Sequence, residues 1–161
     1  MTFFRFNILT AVFIMLASCP DSSASKDTVI TTAITKTKPG IQFIEEDWAQ
    51  ALKTAKDKEK LIFLDIYATW CGPCKMLKQY TFTDSSVGEF FNKNFVNVTI
   101  DGEKGAGPQL AQQYAIEGYP TLIVADETGK PVLITAGYIP TDVLMQFAKE
   151  ALKRSGRKTN M

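Results

Sequence analysis

The chain predicts an α/β domain: a central mixed β-sheet flanked by helices on both faces. Three observations carry this. Residues 60 to 68 form a nearly continuous apolar run, Leu61-Ile62-Phe63-Leu64-Asp65-Ile66-Tyr67-Ala68, as expected of a strand buried on both faces. The strands on either side of it are separated by segments of helical periodicity, which implies parallel crossovers. Near the C-terminus two short strands flank a polar turn, and a helix follows, so part of the sheet must be antiparallel.

Each element has its own reason. Ile41-Gln42-Phe43-Ile44 alternates and predicts a short edge strand. Glu45 to Lys58 predicts a helix, with Trp48, Leu52 and Ala55 on one face, an acidic start and a lysine-rich end that suit the helix dipole. After the buried strand, Pro73 falls in the first turn of a second helix, where its missing N–H costs little. Asp84 caps a further helical segment with Val87, Phe90 and Phe91 on one side. Phe95 to Ile100 is a second strand, residues 101 to 107 a glycine-rich loop, and Pro108 to Tyr114 a short helix. Strands at 121 to 125 and 131 to 136 enclose the hairpin turn Asp126-Glu127-Thr128-Gly129-Lys130. A last helix over 141 to 153 aligns Leu144, Phe147, Ala148 and Ala151, and the polar tail 154 to 161 is expected to fray. Phe82, Phe90, Phe91 and Phe95 are assigned to the core.

The N-terminus reads as a targeting segment. Arg5 precedes the short apolar core Ile8 to Leu16, which is followed by Ala17-Ser18-Cys19, the form of a secretory signal over residues 1 to 18. Leu16-Ala17-Ser18-Cys19 also resembles the lipobox of bacterial lipoproteins, which implies cleavage before Cys19, lipidation of its thiol and a membrane anchor. Residues 19 to 40 are rich in Ser, Thr and Lys and predict a flexible tether, with Val29 to Ile34 as an alternative strand. The folded domain is then expected over 41 to 153. Without Arg5, 17 basic and 17 acidic side chains remain, so neither nucleic acid nor a polybasic membrane contact is implied. The expected compartment is outside the cytoplasm, in the periplasm, where disulfides persist.

The chemistry concentrates in Trp70-Cys71-Gly72-Pro73-Cys74-Lys75, directly after the apolar run. Two thiols two residues apart at a strand-to-helix junction make a redox pair. A sulfur at a helix start meets free N–H groups and the positive end of the dipole, which favour the thiolate, the attacking species. Cys71 is therefore expected to be the more exposed sulfur and the nucleophile, and Cys74, one turn in, to resolve the mixed disulfide. Zinc needs about four ligands, whereas the chain has three cysteines and no histidine. No metal and no cofactor beyond the redox disulfide are expected. Missing histidine also excludes a Cys-His protease and haem attachment.

These residues resemble the active site of the thioredoxin family, over roughly residues 41 to 153. The resemblance rests on Cys71-Gly72-Pro73-Cys74, on Asp65 six residues before Cys71, and on Tyr119-Pro120-Thr121. The stretch Lys78-Gln79-Tyr80-Thr81-Phe82-Thr83-Asp84 further resembles the C-terminal domain of DsbD-type thiol:disulfide interchange proteins. The resemblance implies the thioredoxin fold, a buried Asp65 that exchanges a proton with Cys74, and a cis Pro120 facing the disulfide. It also implies a client groove formed by Trp70, Gly72, Pro73, Tyr119 and Thr121, completed by Gly137 and Tyr138. Lys75 is expected to face solvent. One departure stands out: many thioredoxins carry a lysine on the next strand that neutralises the aspartate, and the corresponding residue here is Asn97.

The expected activity is that of a thiol–disulfide oxidoreductase. A Gly-Pro linker accompanies a potential of about −270 mV in thioredoxin, against about −120 mV in DsbA, which favours a reductant. Its partners would be disulfide-containing clients and a membrane thiol electron donor. Disulfide oxidant or isomerase, or Cu(I) delivery by the same two sulfurs with Met76 nearby, are the alternatives.

Overall fold

The computed structural model describes residues 39–158. The signal segment, Cys19, the tether up to residue 38 and residues 159–161 lie outside them. Five strands, β1 (Ile44–Glu45), β2 (Leu61–Tyr67), β3 (Phe95–Asp101), β4 (Thr121–Ala125) and β5 (Pro131–Ala136), form one sheet in the order β1-β3-β2-β4-β5. The first three are parallel. β4 runs antiparallel to β2, and β5 antiparallel to β4. The helices are α1 (Trp48–Lys58), α2 (Gly72–Met76), α3 (Ser85–Asn94), α4 (Gly107–Gln113) and α5 (Thr141–Arg154).

Alternation along the central strands divides the core between the two faces of the sheet. Ile62, Leu64 and Ile66 of β2, with Val96, Val98 and Ile100 of β3, pack under Ala51 and Ala55 of α1 and Leu110 of α4. Leu61 and Phe63 face the other way and meet Leu77, Phe91 of α3 and Leu144 and Ala148 of α5. Phe63 stacks edge-on against Phe91, 4.7 Å between centroids, and contacts Phe82 similarly at 6.1 Å. Phe82, Phe91 and Phe95 are buried, whereas Phe90 is half-buried at the margin of the same cluster.

Several boundaries differ from the sequence expectation. The edge strand shrinks to Ile44–Glu45 because residues 40–42 are held by other partners. Ile41 N–H donates to the Phe82 carbonyl at 2.8 Å, and Gln42 N–H to Asn92 Oδ1 at 2.8 Å. Asn92 Nδ2 returns a bond to the Gly40 carbonyl at 3.1 Å. Gly40, at φ +91°, lies so close to α3 that a Cβ on Gly88 would collide with its backbone. Helix α1 begins at Trp48 rather than at 45, because Glu46 takes a left-handed φ of 59°. Its carboxylate accepts Asp101 N–H at 2.9 Å and Tyr67 Oη–H at 3.1 Å, and Asp47 becomes the cap, accepting Gln50 N–H at 2.8 Å. The described part of the tail, residues 154–158, is held in place: α5 includes Arg154, and the Arg157 guanidinium binds Glu127 and the Glu59 carbonyl.

The segment after α2 does something periodicity does not announce. Leu77–Thr81 forms a π-helical turn, closed by Phe82 N–H donating to the Leu77 carbonyl at 2.8 Å. Such a turn accommodates one extra residue and re-aims the side chains on it. Thr81 anchors it by donating to the Ile139 carbonyl at 3.0 Å.

Candidate active site

Strand β2 ends at Tyr67, and Cys71 and Cys74 follow at the start of α2, joined by a disulfide with Cα atoms 5.3 Å apart. Cys71 is the N-cap, in extended conformation, and its sulfur accepts Cys74 N–H at 3.1 Å. Gly72 and Pro73 fill the first two helical positions, so the proline's missing donor is one the helix start would leave unpaired. The same cap geometry directs an N–H at any negative charge on the Cys71 sulfur. The expectation that Cys71 is the more exposed cysteine is corrected: each is 2% exposed. Ala68, Tyr67 and Tyr119 enclose the pair.

Trp70, which precedes Cys71 in the chain, is 66% exposed. Its indole N–H donates to both carboxylate oxygens of Glu103 at 3.1 Å, and its ring meets Tyr119 edge-on at 6.0 Å. The Tyr119 ring lies where a Cβ on Gly102 would be, 2.5 Å away, so glycine in the loop after β3 makes room for it. Glu103 is not legible in the sequence as a site residue. Its only sign is an acidic side chain in a glycine-rich loop. The Tyr119–Pro120 peptide bond is cis, and Gly137 N–H donates to the Pro120 carbonyl at 2.8 Å. Gly72, Pro73, Lys75 and Tyr138 are exposed. Thr121, expected in the client groove, is instead buried, with its hydroxyl donated to the Gly118 carbonyl at 2.7 Å.

Asp65 lies on β2, the strand that leads into the disulfide, and is 1% exposed. Thr99, its register partner on β3, donates Oγ1–H to Oδ2 at 2.9 Å, while Oδ1 has no partner. Burial therefore raises its pKa to about 6, against the lowering pull of the Thr99 hydrogen bond and of the Lys78 ammonium. Asn97 pairs with Phe63 in the register, two positions before the Asp65–Thr99 pair. Its amide donates to the Gln42 carbonyl at 3.3 Å and to Asn92 Oδ1 at 3.1 Å. A cleft of about 310 Å³, lined by Tyr67, Ala68, Thr69, Cys74, Lys75 and Lys78, opens on the Cys74 side.

The arrangement joins a disulfide, an N–H aimed at one sulfur, and a buried carboxyl that changes charge near neutral pH. These groups suffice for dithiol–disulfide exchange with proton transfer. Comparison with known proteins points the same way. Residues 48–152 match the family model of the thioredoxin-like domain. A thioredoxin H-type from Fagopyrum esculentum is 29% identical over 106 residues, covering 66% of this chain and 85% of its own length. The thiol:disulfide interchange protein DsbD of Pseudoalteromonas atlantica is 34% identical over 111 residues, 66% of this chain but 19% of that protein. Among solved structures, a candidate disulphide-isomerase from Bacteroides thetaiotaomicron is 39% identical with a TM-score of 0.65, covering 71% of this chain and 95% of the other.

Proposed function

The chain belongs to the thioredoxin-like family of thiol–disulfide oxidoreductases, and we propose that it works outside the cytoplasm, lipid-anchored through Cys19, as a reductase of client disulfides. The observation that carries this reading is the Cys71–Cys74 disulfide at the start of α2, together with a buried carboxyl, Asp65, on the strand that leads into it, whose pKa of about 6 suits proton exchange near neutrality. The Gly72-Pro73 linker supports the reductive direction, and the similarity to DsbD supports a membrane thiol donor. Leu16-Ala17-Ser18-Cys19 supports the anchor, with residues 19 to 40 as tether and 41 to 153 as the working domain.

In the reduced protein the Cys71 thiolate, held by Cys74 N–H, attacks one sulfur of a client disulfide. The Cys71–client bond forms and the client's other sulfur leaves as a thiolate, which takes up a proton. The Cys74 thiol then gives its proton to the Asp65 carboxylate and attacks Cys71 Sγ. The intramolecular disulfide forms and the second client sulfur leaves. Two electrons pass to the client, and the membrane donor restores the dithiol. Because Cys71 is nearly buried in the disulfide form, the client must part the rim made by Trp70 and Tyr119. Gly72, Pro73 and Tyr138 are exposed beside that rim to receive it.

Trapping tests this directly. A Cys74→Ala variant in its membrane fraction should accumulate mixed disulfides on Cys71, released by dithiothreitol and absent from Cys71→Ser. A variant that gathers no adducts while its Cys71 remains alkylatable would contradict the reading.

A further inference from the structure

A buried carboxyl that titrates near neutrality raises the question of which charge balances it once it ionises. β3 supplies none: Asn97 is engaged by Gln42 and Asn92, and Thr99 offers a hydroxyl. We propose that Lys78, carried by the π-helical turn, is a positioning residue for this centre, its ammonium supplying to Asp65 the positive charge that β3 lacks. This rests on the proton role of Asp65 given above, and it adds a group outside both the CxxC motif and the sheet.

The geometry comes from two contacts. Side chains at positions i and i+2 of a strand share a face, so Tyr67 is the neighbour of Asp65 along β2. Lys78 Nζ lies 3.3 Å from the centroid of the Tyr67 ring, which holds the ammonium over that face of the strand. Across the strand the neighbour of Asp65 is Thr99. Lys78 and Thr99 line one cleft of about 280 Å³ together with Phe43 and Phe82. Lys78 also lines the cleft that opens on Cys74. The same side chain thus lines a cleft with Thr99, the hydrogen-bond partner of Asp65, and a cleft with the resolving sulfur.

Lys78 acts among several charges. Asp101 at the end of β3 feels its pull, but is itself bound by Lys104 at 2.9 Å. Glu46 reaches Tyr67 Oη, Glu45 lines the Thr99 cleft, and Lys75 shares the Cys74 cleft. Of these, Lys78 is the cation that acts on Asp65, pulling it toward the carboxylate. Lys78 itself is exposed, so its replacement spares the core.

The test is the titration of the Asp65 carboxyl, followed by carbon-13 NMR in the oxidised protein, for wild type, Lys78→Met and Lys78→Arg. Lys78→Met should raise the midpoint by about half a unit, the solvent-screened share of what a nearby opposite charge contributes. Lys78→Arg should restore it. The acid limb of the pH profile for client-disulfide reduction should move upward in step. An Asp65 midpoint unchanged in Lys78→Met, or displaced equally in Lys78→Arg, would overturn the proposal. A wild-type protein unreactive toward disulfides would strike the functional reading instead, since the titration does not depend on turnover.

Discussion

The two faces of the sheet differ in kind. Under α1 and α4 the buried residues of β2 and β3 are all aliphatic: Ile62, Leu64, Ile66, Val96, Val98 and Ile100. On the opposite face Leu61 and Phe63 give way to Asp65 along β2, and β3 presents Asn97, Thr99 and Asp101, all buried. A buried polar group without a partner is unfavourable. Both unpaired buried side-chain oxygens among the described residues, Asp65 Oδ1 and Asn97 Oδ1, lie on this second face. Asn97 offsets its position by tying down residues 40–42 and Asn92. Asp65 has only Thr99 and the neighbouring lysine. Both faces pack a hydrophobic core, but among the described residues only the second also buries polar groups that lack full partners.

Substitutions one residue apart on β2 should separate packing from proton transfer. Leu64→Ala empties a fully buried site on the aliphatic face and should lower stability by about 3 kcal/mol in denaturant unfolding, leaving the reactivity of the surviving folded dithiol unchanged. A matching loss of reactivity in the folded protein would show that the faces are coupled.

Asp65→Asn should act with the opposite sign. The folded protein holds the Asp65 proton more tightly, with a pKa of about 6, than the unfolded chain, at about 3.9. The wild type therefore loses stability as pH rises from about 4 through 6, by about 2–3 kcal/mol in full at pH 7. Asparagine should recover that amount at pH 7 and nothing below about pH 4. It should also slow client reduction at pH 7 by about 100-fold or more by removing the proton acceptor for Cys74. Unfolding curves at pH 4 and 7, with turnover at pH 7, check both halves. An Asp65→Asn variant less stable than wild type at pH 7 would mean that the carboxylate is a structural ligand after all.

The sheet is legible in the sequence because its signals are local. The run Leu61 to Ala68, the Asp126-to-Lys130 turn and the periodicity of α5 each encode an element without help from elsewhere. Asp65 is legible for the converse reason, as a carboxyl inside an apolar strand. What escapes depends on where separate elements come to lie. The edge strand reads too long because its first residues bond to Phe82 and Asn92, some 40 and 50 positions away. Cys71 reads as exposed because Tyr119, nearly 50 residues on, is what helps enclose it. Thr121 reads as a groove residue because its motif does not show that its hydroxyl closes on Gly118. Lys78 is singled out in the sequence only within the stretch that resembles DsbD, and nothing in Leu77-Lys78-Gln79-Tyr80-Thr81 marks a π turn.

The most direct test of the whole account is the reduction potential of the Cys71–Cys74 couple, measured by equilibration with glutathione or dithiothreitol buffers at pH 7. A reductase should give a value nearer to thioredoxin, at about −270 mV, than to DsbA, at about −120 mV. A potential at the DsbA end would make the protein an oxidant of its clients and reverse the direction of electron flow proposed for it.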